Sequence, residues 1–277
     1  MNTVIFTFAG RTPNMLLQAP LIRRILDENP DARWDVWNLA RNQLDAIYLQ
    51  SLAGPRIRVI NDFWRGRAYE AVYRHYADPD YAGTVFVKAD DDILFMQTER
   101  YGEFVAAIEA NPDTVVSALT INNGASTRAE PGLWRRYKTL GIPLLEVHTD
   151  VRFAEMAHGY FFENSAKILA QPVKLVDTED WVSINMVGFG HAVMAAMAPQ
   201  LGSPSPSPIA GRDFTATDRL GDEGALNLFP RKILKGFTAA HLGFGPQQPS
   251  LDQFDRWRAD YARIGANYLA ATQKVVA

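Results

Sequence analysis

The chain has 277 residues, enough for one large α/β domain or two smaller ones. With 47% hydrophobic and 21% charged residues it has the composition of a folded globular protein, which excludes global disorder. A formal net charge of -3 argues against coating nucleic acid by charge alone, and the lack of cysteine excludes disulfides, thiolate metal sites and cysteine nucleophiles.

The opening MNTVIFTFAGRTP has no basic leader, and no run of 18 apolar residues follows, so no membrane span and a cytoplasmic location are expected. The first apolar run, Thr3 to Ala9, reads as a buried strand ended by Gly10-Arg11-Thr12-Pro13. Leu17, Leu21, Ile22 and Leu26 then recur at helical spacing over Leu16 to Glu28. The same alternation continues. Strands are expected at Arg33 to Leu39, Arg56 to Ile60 and Thr84 to Ala89, with helices over Gln43 to Leu52 and Gly66 to Tyr76 between them. A helix over Thr98 to Ala110 and a strand over Thr114 to Thr120 follow. Strands that are apolar on both faces and separated by helices predict a mainly parallel sheet flanked by helices, a doubly wound α/β arrangement.

After Asn122-Asn123-Gly124 the rhythm breaks, and residues 124 to about 220 read as short apolar runs joined by loops. The run Ser203-Pro204-Ser205-Pro206-Ser207-Pro208 cannot continue a helix or a central strand, because proline lacks the N–H donor and fixes φ. It is expected to be an exposed loop within a domain. Order returns in a helix over Glu223 to Phe229, a strand over Gly236 to His241 and a C-terminal amphipathic helix over about Leu251 to Lys274.

The strongest chemical signal is Asp90-Asp91-Asp92 at the end of the apolar run Thr84 to Ala89. Three adjacent carboxylates beside a buried strand are costly unless a cation or hydrogen-bond donors offset them. Ligands of open α/β sheets sit at the carboxyl ends of strands, where this triplet falls. Oxygen ligation suits Mg²⁺ or Mn²⁺, which share their shell with water and substrate phosphates, so a diphosphate substrate is implied. The plainer reading is a solvated acidic turn.

At these residues the chain resembles the GT-A glycosyltransferases, whose nucleotide-sugar-binding half ends in a DxD motif, here Asp90-Asp91-Asp92. The resemblance implies a single GT-A-like, Rossmann-like domain: residues 1–123 as the nucleotide-sugar-binding half, 124–250 as an irregular acceptor-side half, and 251–277 as a C-terminal helix. It implies donor or metal contacts for Asp90 and Asp91 and metal ligation by Asp90 and Asp92. Gly221-Asp222-Glu223 at a helix start resembles the family's acidic "xED" motif with the acids in the reverse order, which leaves open whether Asp222 or Glu223 is the base. His241, at the end of the following strand, matches a position that supplies a further metal ligand.

The loop Phe8-Ala9-Gly10-Arg11 would contact the nucleoside in such enzymes, with Arg11 and Arg67 as candidates for phosphate and Asn38 for the base edge. Acids at a helix start also act as plain caps, and a lone histidine in an apolar strand is often a core residue. His75, His148, His158 and His191 show no metal spacing. Asp180, beside Trp181, is a rival base near a sugar-stacking indole. Trp134-Arg135-Arg136-Tyr137-Lys138 interleaves aromatics with cations but reads better as a solvated helix face than as a nucleic-acid contact.

The activity implied is metal-dependent transfer of a hexose from a nucleotide sugar, expected to be UDP-linked, to a hydroxyl of a saccharide, a protein or a hydroxylated DNA base. A sugar-phosphate nucleotidyltransferase is the nearest rival, but it requires a glycine-rich phosphate loop, and Phe8 to Pro13 contains one glycine. A non-catalytic carbohydrate-binding module would tolerate loss of the acids.

Overall fold

The computed structural model describes residues 2–61, 69–247 and 251–273. The strands are β1 (Thr3–Ala9), β2 (Ala32–Asn38), β3 (Ile57–Ile60), β4 (Val85–Ala89), β5 (Ile93–Met96), β6 (Val115–Ile121), β7 (Lys174–Thr178), β8 (Met186–Gly190) and β9 (Arg231–His241). The α-helices are α1 (Thr12–Glu28), α2 (Gln43–Ser51), α3 (Tyr69–Tyr76), α4 (Tyr101–Glu109), α5 (Gly124–Ala129), α6 (Pro131–Tyr137), α7 (Val151–Leu169), α8 (His191–Met197), α9 (Asp222–Leu226) and α10 (Leu251–Gln273). The protein is α/β, with one mixed sheet flanked by helices.

The sheet runs β3-β2-β1-β4-β8-β6-β9-β5, with β7 also on β9. Its first four strands are parallel, as the alternating sequence leads one to expect. Beyond β4 the sheet is mixed: β8 lies antiparallel between β4 and β6, and β9 is parallel to β6 but antiparallel to β5 and β7. The sheet departs from the parallel order here because β8 returns from a long excursion and enters in the opposite direction. Its sequence, MVGFG, carries two glycines and little strand signal. Gly188 packs closely, since a Cβ there would press on the Ile108 side chain of α4 and lie 3.2 Å from the Phe86 carbonyl.

Side chains alternate across the strands and build a core on each face. Ile5, Val85 and Val87 pack with Met15 and Ile22 of α1 and Phe104 of α4. Val4, Phe6 and Phe86 pack on the other side with Val72 and Tyr73 of α3 and with Met194 of α8. Lys88 and Asp90 share the parity of Phe86, so β4 aims them toward the α3 side.

The stretch after residue 124 is more regular than its sequence suggests. It holds α5 to α8, β7 and β8, and α7 alone runs 19 residues behind an Asp150 cap that accepts from the Arg152 N–H. Its apolar residues are broken up by charged, polar and small ones, which hides that helix from a search for apolar runs. The Ser-Pro run lies outside any helix or strand; Pro204 within it bridges to Arg219, and Ile209 just after it bridges to Arg212. The predicted helix over Gly66 to Tyr76 is seen as α3, and its start, with Arg67, lies outside the described residues.

Candidate active site

The carboxyl ends of β1 and β4 meet the start of α9 and the end of β9 around a cavity of about 380 Å³. Asp90, Asp91 and Asp92 form the turn between β4 and the short strand β5, which the sequence alone does not reveal. The turn is pinned from behind: Gln18 of α1, fully buried, donates to the Asp90 carbonyl at 2.6 Å, and the Asp90 N–H donates to the Asn185 carbonyl at 2.8 Å.

Each acid of the triplet has its own partners. Asp90 is bound by the Lys88 ammonium and by Asn185 Nδ2 at 3.3 Å. Asp91 accepts the Gly10 N–H at 2.9 Å and the Arg11 guanidinium through Nε at 3.0 Å. Asp92 pairs with Arg11 at 2.9 Å and with His241 Nε2 at 3.4 Å. Gly10 sits close enough to the Leu39 carbonyl, 3.1 Å from an added Cβ, for any side chain to press on backbone. The β5–β9 register pairs Ile93 with His241, which is what sets the imidazole beside Asp92.

Burial pushes the Asp90 carboxyl up. Burial does the same to Asp92, but the His241 imidazole and the Arg11 guanidinium outweigh it and hold Asp92 well below the usual carboxylate range. Asp92 Oδ1 and His241 Nδ1 remain buried without hydrogen-bond partners. Among the described residues, no three histidine or acidic side chains already surround one point as the ligands of a metal do.

Asp222 and Glu223 line the same cavity from the first turn of α9. Both oxygens of Asp222 are engaged: Oδ2 accepts from Tyr73 Oη at 2.8 Å and Oδ1 from the Glu223 N–H at 2.9 Å. Glu223 has one oxygen held by the Trp181 indole N–H, and burial raises its carboxyl above the usual range. Phe8 and Tyr69 meet edge to face at 4.8 Å on the cavity wall. Among the described lining residues, five carboxyl groups (Asp90, Asp91, Asp92, Asp222, Glu223) face two permanent cations, Arg11 and Lys88, a formal excess of three negative charges when all five are ionised.

Other expected residues lie elsewhere. Ala9 is buried in the sheet. Asn38 is also buried, with its amide spent on the Ala40 N–H and Asn61. Asp180 faces a second cavity, where Arg128 Nε binds it at 2.8 Å. His75 contacts Tyr81 and His191 contacts the Asp78 carbonyl. His158, driven down to about 3 by burial, bridges Tyr261 and the Leu242 carbonyl next to His241.

Sequence reasoning misses Lys88, Tyr69, Tyr73, Asn185 and Phe244. Lys88 carries a signal in retrospect, a single charge inside the buried run VFVKA; Asn185 and Phe244 carry none. The sequence matches no protein-family model and no curated protein at a significant level. A functional assignment therefore rests on the chemistry of this cavity.

Proposed function

We propose that this protein is a metal-dependent glycosyltransferase of GT-A-like architecture that moves a hexose from a UDP-linked nucleotide sugar to a hydroxyl acceptor. The observation that carries this reading is the excess of negative charge in the cavity, held at the carboxyl ends of parallel strands. A nucleoside diphosphate is repelled by such a surface unless a divalent cation enters with it.

The residues fit that cation in a particular way. Asp92 and His241 have unpartnered buried atoms, while Asp90 is already held by Lys88 and Asn185. Mg²⁺ and Mn²⁺ bind through one or two protein carboxylates completed by substrate phosphates and water, so a preformed protein cage is not required. Asp92, His241 and, on exchange of its partners, Asp90 would hold the ion. Bound there, it supplies Lewis-acid stabilisation of the departing diphosphate.

The chain's own groups divide the remaining work. Arg11, half exposed, is within reach of a phosphate at the mouth. Phe8 and Tyr69 offer an aromatic wall for a nucleobase. Glu223, with one oxygen fixed by Trp181, keeps its second oxygen for the acceptor proton, and its raised affinity for that proton suits a general base. Asp222, with both oxygens engaged, positions α9. In the transfer the acceptor oxygen bonds to the anomeric carbon as its proton passes to Glu223, and the bond to the diphosphate breaks with the electron pair leaving on phosphate.

The test is a thermal-shift and hydrolysis screen of UDP-glucose and UDP-galactose with and without Mn²⁺. Stabilisation and UDP release that need Mn²⁺, both abolished in Asp92→Asn, are the expected result, since a ligand that binds the folded state raises its melting temperature. Pyrophosphate from UTP and a sugar phosphate would instead identify a nucleotidyltransferase, and an unchanged UDP affinity in Asp92→Asn would remove the metal from the reading.

A further inference from the structure

A second cavity of about 440 Å³ lies on the far side of Trp181. Small-molecule sites commonly enclose about 300–1,000 Å³. The two cavities share a wall: Glu179, Asp180, Trp181 and Ser183 line the second, and Ile184 and Asn185, the next two residues, line the first. Trp181 donates its indole N–H to Glu223, and His148 of the second cavity contacts Phe244 of the first edge to face at 6.1 Å. Whatever occupies the second cavity is therefore one side chain away from the proposed base.

The chemistry of the walls selects the occupant. Asp180 and Arg128 present an acceptor and a donor side by side, 2.8 Å apart, and the Arg128 guanidinium lies 4.8 Å over the Trp134 ring. Arg212 lies 4.3 Å over Trp181 in the same way. Arg128 in the lining, together with Arg212 next to the lining residue Gly211, offsets the carboxylates of Glu179 and Asp180, so the cavity does not select strongly for an anion or a cation. Leu144, Leu145 and Val147 supply an apolar side. A ring that is apolar on its faces and hydroxylated round its edge matches this pattern, because each hydroxyl both donates and accepts.

We propose that this second cavity binds a neutral saccharide, with the Asp180–Arg128 pair gripping adjacent hydroxyls. The binding stands on this cavity alone; its link to the proposed base runs through the Trp181 indole that holds Glu223, and that link rests on the glycosyltransferase reading of the first cavity. Asp180 is then a specificity residue, not the base.

The full-length protein titrated with maltose, cellobiose and lactose by saturation-transfer NMR, alongside the UDP–Mn²⁺ thermal shift, separates the two ideas. At least one disaccharide should bind, and its Kd should rise about tenfold in Asp180→Asn and in Arg128→Ala, the loss expected for one charge-assisted hydrogen bond. Arg128→Ala, at an exposed position, carries the test if Asp180→Asn prevents folding. Failure of all three sugars to bind, undiminished binding in the variants, or binding of glucose 6-phosphate or an oligonucleotide in their place would overturn the inference. Sugar binding without any UDP response would keep this site and discard the donor reading; a UDP response without sugar binding would do the reverse.

Discussion

Arg11 holds Asp91 across 80 residues of chain, with Nε 3.0 Å from Oδ1. The same guanidinium reaches Asp92 at 2.9 Å, so one side chain just past the end of β1 bridges two acids at the end of β4. Asp91 and Asp92 are 5% and 4% exposed, and without such a partner their charges would be severely penalised. The acidic triplet is therefore stable as it stands, and a metal ion approaching Asp92 meets a resident cation.

Removal of that cation should tighten metal binding. In Arg11→Ala the affinity for Mn²⁺ without nucleotide is expected to rise about tenfold, because the resident guanidinium no longer repels the incoming ion or offsets the charge of Asp92. Affinity for UDP in the presence of Mn²⁺ should fall by a similar factor, since the phosphate loses its arginine. Calorimetric titration reads both. If Arg11 serves structure alone, the melting temperature drops while Mn²⁺ affinity stays where it was.

Glu223→Gln should separate activity from stability. General base catalysis is worth about 100-fold or more, so transfer falls at least that far. Burial raises the folded-state affinity of Glu223 for its proton. The stabilising contribution of such a group is fully present below its unfolded value and is lost as pH rises through the folded one, so at neutral pH the ionised Glu223 destabilises the fold. Glutamine can still accept the Trp181 N–H. The variant should therefore melt higher than the parent at pH 7, with the gain shrinking on acidification, and the parent's transfer rate should show an acid limb above the usual carboxylate range. Equal melting temperatures at pH 7 would contradict this account.

Much of this cavity is legible from sequence because its residues stand where strands end. Phe8-Ala9-Gly10-Arg11, Asp90-Asp91-Asp92 and His241 each close an apolar run, and a sheet gathers such ends on one edge. The parallel order of β1 to β4 follows from the same alternation. What stays hidden depends on contacts between distant segments. Nothing local marks β8, whose two glycines weaken its strand signal, or Asn185, which acts through its place beside Asp90. The choice between Asp222 and Glu223 likewise turns on Tyr73 and Trp181, which no spacing in the acidic motif reveals. Asn38 misleads for the opposite reason: it ends a strand, but its amide is consumed by the Ala40 N–H and by Asn61.

Lys88 is 3% exposed, and its ammonium rests on Asp90 and on the Ile184 carbonyl at 3.0 Å. Lys88→Met removes the buried cation and leaves Asp90 with Asn185 alone. Breaking a buried pair in this way costs about 3–5 kcal/mol. The double variant Lys88→Met, Asp90→Asn removes both charges and should recover most of that loss, which denaturant unfolding measures. A double variant no more stable than the single one would show that Lys88 is held by something other than its pairing with Asp90.

Gly236 divides β9 into the half that pairs with β7 and the half that pairs with β5, and the β6 register slips at the same point. Its φ is +83°, and an added Cβ would lie 2.8 Å from the Val173 Cα and 2.9 Å from the Pro172 carbonyl. Both contacts are backbone, so neither can rotate aside. Left-handed backbone costs an L-residue about 1–2 kcal/mol before any clash. Gly236→Ala should therefore lower Tm by about 5 °C or more. Because β9 ends in His241, the strand shift needed to relieve the clash should also move the imidazole from Asp92 and weaken UDP–Mn²⁺ binding. A variant that loses stability but binds UDP–Mn²⁺ as tightly as the parent would show that the break at Gly236 uncouples the two halves of β9.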